Sequence, residues 1–232
     1  MTLRGKLQKI IRDYRTVVKV VDHNARESDD RAYGGFVRMA KGKLQEHITE
    51  QLVRATWTHI GGKAKVLDIN ASKIAIPIRQ SYIDRIKDPA VAAYIRQNID
   101  NYVYRLAVDK HVFINEKFVV GIECKAFAEN AMIKRILVDF DLLKTQHPNL
   151  SCYLFQLESQ LGGDYSALTK PVYGSHSTHT IQSYFSCDLH IVTLLAGERN
   201  INRPIHKHFK PLKIESLQNA VDILADDLKR FL

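Results

Sequence analysis

The chain has 232 residues, enough for one domain with a full core or two small ones, and 45% hydrophobic content with six prolines excludes a largely disordered protein. A formal net charge of +9 attracts polyanions, nucleic acid foremost, and says nothing about the fold. Cys124, Cys152 and Cys187 are odd in number and form no C-x-x-C pair, which excludes a zinc ribbon and a disulfide framework and fits reduced, buried thiols.

At the N-terminus Arg4, Lys6, Lys9 and Arg12 interrupt the apolar residues, so no signal-peptide core is present, and no apolar run nears the roughly 18 residues of a membrane span. The expected setting is cytoplasmic. Leu3, Leu7, Ile10, Ile11, Tyr14, Val17, Val18 and Val21 recur at helical spacing over residues 1–22, and the polar run Asp22 to Arg31 is expected to end that helix. A second helix is predicted from Phe36 to Trp57, with Phe36, Met39, Leu44, Ile48, Leu52 and Val53 on its buried side. Gly61-Gly62 stops it. Short strands are expected at Val66 to Ile69 and Ile74 to Ile78, the latter at a sheet edge because Pro77 has no N–H to give a ladder. A third helix starts at Asp88-Pro89, with Val91, Tyr94, Ile95 and Ile99 on one face.

Tyr104 to Asp109 reads as a strand ending in an acid, Asn115-Glu116-Lys117 as a tight turn, and Phe118 to Lys125 as a buried strand. A helix follows over Ala128 to Gln146, then a central strand at Ser151 to Leu157. A long loop runs from Gly162 to Ser183, with a further strand at Leu189 to Leu195 and an amphipathic helix from Ser216 to Leu232. The expected fold is one α/β domain over 1–232, a mixed central sheet flanked by helices.

The Phe118 to Lys125 strand carries the chemistry. Residues two apart on a strand share a face, so Glu123 and Lys125 project together while Ile122 and Cys124 enter the core. Opposite charges ending an apolar strand are costly unless paired, solvated or bound to a metal. A hairpin would bring Asp109 to the same spot. Two carboxylates suit a hard cation such as Mg²⁺, which polarises a phosphate and lowers the pKa of a bound water; a lysine can orient that water and offset developing charge. The competing structural explanation is a salt bridge at a strand end. The acid-x-lysine spacing occurs twice, and Asp227-x-Lys229 in the C-terminal helix is a solvated face. Only Glu123-x-Lys125 ends an apolar strand with an acid upstream.

Val108-Asp109, a gap of thirteen residues, then Glu123-Cys124-Lys125 before a helix and a strand resembles the PD-(D/E)xK nuclease superfamily, most of all its type II restriction endonucleases. The likeness covers about 104–158, with the helix at 36–57 as its leading helix. It implies a restriction-endonuclease-like core in which Asp109 and Glu123 bind Mg²⁺ and Lys125 completes the catalytic set. The family's usual proline is Val108 here. Some members draw a further acid from the leading helix, for which Glu46 and Glu50 are the candidates. The resemblance also implies double-stranded DNA as substrate, a homodimer suited to a palindromic target, and a partner methyltransferase acting on the same site.

For DNA contacts the candidates are Lys134 and Arg135 after the cluster, and Arg199, Asn202 and Arg203 in the densest basic segment, where arginine and asparagine can read guanine and adenine edges. That segment also holds His206, Lys207, His208, Lys210 and Lys213, and a solvated basic loop is its plain alternative. Ser175-His176-Ser177-Thr178-His179 matches no zinc spacing, and neither glycine pair fits a nucleotide loop. Two alternatives stand beside a sequence-specific endonuclease: a structure-specific repair or recombination nuclease, and a basic DNA-binding protein without catalysis.

Overall fold

The computed structural model describes residues 1–26, 31–166, 172–200 and 210–232, and the side chains of these outside 20–39. Helices α1 (Leu3–Arg26) and α2 (Arg31–His59) come first, then strands β1 (Leu67–Asn70) and β2 (Ile74–Pro77). Helices α3 (Gln80–Ile83) and α4 (Pro89–Gln97) lead to β3 (Val103–Leu106), β4 (Lys110–Ile114) and β5 (Lys117–Ala128). The chain continues through α5 (Asn130–Gln146), β6 (Ser151–Ser159), α6 (His176–Gln182), β7 (Leu189–Thr193) and α7 (Ile214–Leu228). Five strands form a mixed sheet in the order β1-β4-β5-β6-β7, antiparallel from β1 to β5 and parallel from β5 to β7. This is the expected α/β architecture.

Helices α2 and α7 cover one face of the sheet, and α1 packs against both helices. Leu44, Ile48, Leu52, Leu217, Val221 and Leu224 pack there against Val120, Ile122, Tyr153 and Phe155. Each such side chain stabilises the fold by about 1.5–3 kcal/mol through lost contact with water. Helix α5 covers part of the opposite face with Ile133, Ile136, Leu137, Phe140 and Leu143. At Gly121 a methyl group would lie 2.9 Å from the Phe140 ring, so the missing side chain is what lets α5 approach β5.

The hairpin between β4 and β5 sets the phase of the site. Asn115 and Glu116 form a two-residue turn, both with positive φ (49° and 66°), as type I′ hairpins require. Val112 then pairs with Val120 but Phe113 with Phe118, so Val119 is an extra residue, a β-bulge. Val119 and Val120 both face α2, after which alternation resumes. Glu123 and Lys125 thereby fall on the α5 side, and Ile122 and Cys124 on the α2 side.

The structure corrects several expectations. The strand expected at Tyr104 to Asp109 is divided: β3 pairs with β2 in a separate two-stranded sheet, and the true arm of the hairpin is β4. Leu106 and Val108 both enter the core, so side-chain alternation runs on across a change of backbone partner and hides it. On α4, Ala92 and Ile95 are buried while Val91 and Tyr94 are exposed, as is Ile99 just past the helix; the small alanine makes the contact with Ile83. Helix α1 runs past Asp22 to Arg26. The long loop contains α6, capped by the Ser175 hydroxyl, which accepts from the Thr178 N–H. Pro77 does lie on an edge strand.

Candidate active site

Asp109 stands where the chain enters β4, directly beside Glu123 on β5. Strand β5 holds the acid that precedes β4: the Cys124 N–H donates to Asp109 Oδ2 at 2.7 Å. Lys125 Nζ donates to Glu123 Oε1 at 2.5 Å and lies 3.6 Å from Asp109 Oδ2. All three side chains are partly accessible to solvent at this end of the sheet. On the opposite face Cys124 is buried, its Sγ 3.5 Å from Thr49 Oγ1 of α2, and burial pushes that thiol up, so it is inert.

The electrostatics are those of crowded acids. Burial and the neighbouring Asp109 raise the Glu123 pKa, only partly opposed by Lys125. Burial alone would lower the Lys125 pKa, but Glu123 and Asp109 outweigh it, and the net direction is up. A cation placed between the carboxylates would relieve their repulsion. Both donors are oxygen, the set a hard ion prefers over histidine or thiolate. Among the described residues no three acid, histidine or cysteine side chains form a ready metal cage. Two carboxylates nonetheless suit Mg²⁺, which commonly takes one or two from the protein and the rest from water and substrate phosphate.

The accessory acids on α2 part ways. Glu50 is engaged by Arg54 at 3.0 Å and Lys110 at 3.3 Å, which outweigh its burial and lower its pKa. Glu46 is 3.8 Å from Lys110, and burial followed by Asp109 raises its pKa. Lys110 links this helix to the site, a role that only its position after Asp109 hinted at. His111, fully buried, was also missed. Its Nε2 accepts the Val108 N–H at 3.1 Å, and its ring stacks on Phe118 at 4.6 Å. At Val108, where a proline would carry no N–H, the histidine satisfies the extra donor. In the adjacent strand Gln156 pairs with Lys125, on the same face and fully buried.

The candidate DNA contacts are dispersed. Lys134 and Arg135 are exposed on α5, with Arg135 3.8 Å from Asp139. Arg199 is held in place: its guanidinium lies 3.5 Å above the Phe127 ring and donates to Gln160 Oε1 at 3.2 Å. Phe127 follows Lys125 by two residues, so Arg199 lies along the same strand face. Asn202 and Arg203, with His206, Lys207 and His208, lie outside the described residues. Lys210 is committed to an ion pair with the buried Glu158 at 2.7 Å. Ser175 and Thr178 bond to Asn130 at the start of α5, which gives that loop a structural role. No helix among the described residues is long and apolar enough to cross a membrane.

No protein-family model matches the chain. Among solved structures it resembles the native BbvCI A2B2 tetramer at 10% identity and a TM-score of 0.35, over 97% of this chain and 90% of that one, too slight a likeness to bear on the argument. It is 57% identical, over 230 residues that span 96% of each chain, to the type II restriction enzyme DdeI of Desulfomicrobium norvegicum. Identity of that extent, around a site of two acids and a lysine on a mixed sheet, shows that this chain belongs to the DdeI family of type II restriction enzymes.

Proposed function

We propose that the protein is a Mg²⁺-dependent endonuclease that hydrolyses double-stranded DNA at a specific sequence, working through a PD-(D/E)xK site made of Asp109, Glu123 and Lys125. The observation that carries this reading is the pairing of Asp109 and Glu123 across the β4–β5 hairpin with Lys125 between them, in a chain of the DdeI family. The order acid, hairpin, acid-x-lysine, helix and parallel strand supports the superfamily assignment.

In this reading Asp109 and Glu123 hold the ion, and Glu46 is the accessory acid. Bound Mg²⁺ supplies Lewis-acid polarisation of the phosphate and a more acidic water. The backbone N–H of Cys124 fixes the Asp109 carboxylate, so little rearrangement of that acid is needed when substrate arrives. Lys125, kept as an ammonium by its acidic neighbours, donates to anionic oxygen and offsets charge that builds on the phosphate. Two copies acting together would match a two-fold symmetric duplex target, and a methyltransferase of the same specificity would protect the host's own sites.

The test is cleavage of plasmid and phage DNA by chelator-stripped protein with single ions restored. Discrete fragments are expected with Mg²⁺ or Mn²⁺, and little cutting with Ca²⁺, which is larger and looser in geometry. Asp109→Ala, Glu123→Ala and Lys125→Ala should each abolish cleavage while remaining folded. Cutting in excess EDTA, or near wild-type cleavage by Glu123→Ala, would overturn the assignment. A smear in place of fragments would indicate a structure-specific nuclease, and no cleavage on several DNAs a non-catalytic binder.

A further inference from the structure

Gln156 sits in β6, a central strand, with no exposure to solvent. It is the register partner of Lys125 on β5 and of Thr193 on β7. Partners in neighbouring strands share a face and lie about 4.8 Å apart, so the three form one polar row across the sheet, on the face that carries Glu123. The Gln156 amide nitrogen donates to Thr193 Oγ1 at 3.0 Å. Its oxygen, Oε1, is fully buried and, among the described residues, accepts no hydrogen bond. Buried carbonyl oxygens are rarely left so, and an orphan beside a working side chain calls for an explanation.

Lys125 provides one. Its ammonium occupies Glu123 Oε1 at 2.5 Å, an oxygen of the carboxylate that the proposed metal site needs. When Glu123 turns to a cation, that ammonium loses its nearest acceptor inside a partly buried site, where an unpaired charge is costly. The neighbouring strand holds an acceptor with its capacity unspent. We propose that Gln156 is a positioning residue: its Oε1 takes the Lys125 ammonium when Glu123 is given over to the metal, and so sets how readily the site loads. The inference rests on the metal-site reading of Asp109, Glu123 and Lys125 given above.

The experiment compares wild type with Gln156→Leu and with Gln156→Leu/Thr193→Val, in which both halves of the amide–hydroxyl pair become apolar. Removing both partners of a buried hydrogen bond together is close to neutral or stabilising for a fold. The double variant, stripped of metal, is therefore expected to melt at or above the wild-type temperature. In plasmid cleavage both variants should need roughly tenfold more Mg²⁺ for half-maximal rate, the size of one hydrogen bond to a charged group. Their DNA affinity in EDTA should not change. Poor folding of the single variant would still leave the double variant to decide. A double variant with the wild-type Mg²⁺ midpoint and rate overturns the inference, and so does one whose lost cleavage merely follows a lowered melting temperature. Lys125→Met separates the two readings. If it is inactive while the double variant is normal, only the role of Gln156 falls; if it cleaves normally, the active-site reading falls with it.

Discussion

At the scale of single residues, the candidate site shows how the backbone decides which charges meet. Asp109 and Glu123 were legible as candidates because acids are rare at the ends of apolar strands, and Lys125 because it shares Glu123's face. His111 was not legible, since a lone histidine in a strand gives no sign of which nitrogen is used. The fold gives it one job, accepting the Val108 N–H from a fully buried position. Burial, then the neighbouring His147, depresses its pKa from 6.5 to about 4. Between those values the unfolded chain holds a proton that the folded chain lacks, so stability rises with pH across the window. His111 should therefore contribute fully above about pH 6.5 and lose about 3 kcal/mol of that contribution as pH falls to 4. Urea melts at pH 7, 5.5 and 4 check this. His111→Phe should be less stable at pH 7, because the Val108 N–H loses its acceptor, yet show a flatter pH profile over the same range. An unchanged profile would mean that the histidine is charged in the fold.

Among the elements, helices with a sustained apolar period were read well. On α5 Met132, Ile133, Ile136, Leu137, Phe140 and Leu143 keep the 3.6-residue period in the sequence, and all but the half-buried Met132 are buried in the structure. Strand partners were read poorly, because period-two alternation records burial and not which group accepts the hydrogen bonds; Leu106 and Val108 enter the same core while their backbones bond to different partners. The hairpin turn was visible in Asn115-Glu116, but its type was not. Glu116 holds φ at 66°, a conformation a side chain pays for and glycine does not. Glu116→Gly should therefore stabilise the protein by about 0.5–1 kcal/mol, since the preferred pair for this turn is Asn-Gly. A chemical-denaturation midpoint that moves to lower denaturant would show that the side chain contributes something the turn geometry hides.

For the whole molecule, the net charge of +9 indicated a polyanion without locating its path. We propose Arg199 as one point on it. Arg199, stacked on Phe127 and tied to Gln160, stands along the face that leads away from Lys125, where a strand backbone passing the site would run. A guanidinium fixed in that way is suited to phosphate, and its loss should weaken binding equally on cognate and unrelated duplexes. Each phosphate contact contributes a slope of about 0.9 to the dependence of log affinity on log salt, so Arg199→Ala should make that slope shallower by about one. Fluorescence anisotropy in Ca²⁺ across a salt series measures both. A loss of about 1–3 kcal/mol confined to the cognate duplex would instead make Arg199 a reader of bases.

The extra residue at Val119 has a consequence for how this hairpin tolerates change in length. Counting from the turn, Glu123 and Lys125 would have the wrong parity for the open face; the bulge adds one and corrects the count. Everything between the turn and Val119 is thus a register that can be reset, because a bulge can shift by a residue and absorb an error there. Beyond Val119 no such correction remains before the acid and the lysine. A single deletion after that point would turn Ile122 and Cys124 outward and drive two charges into the aliphatic core, abolishing fold and catalysis together.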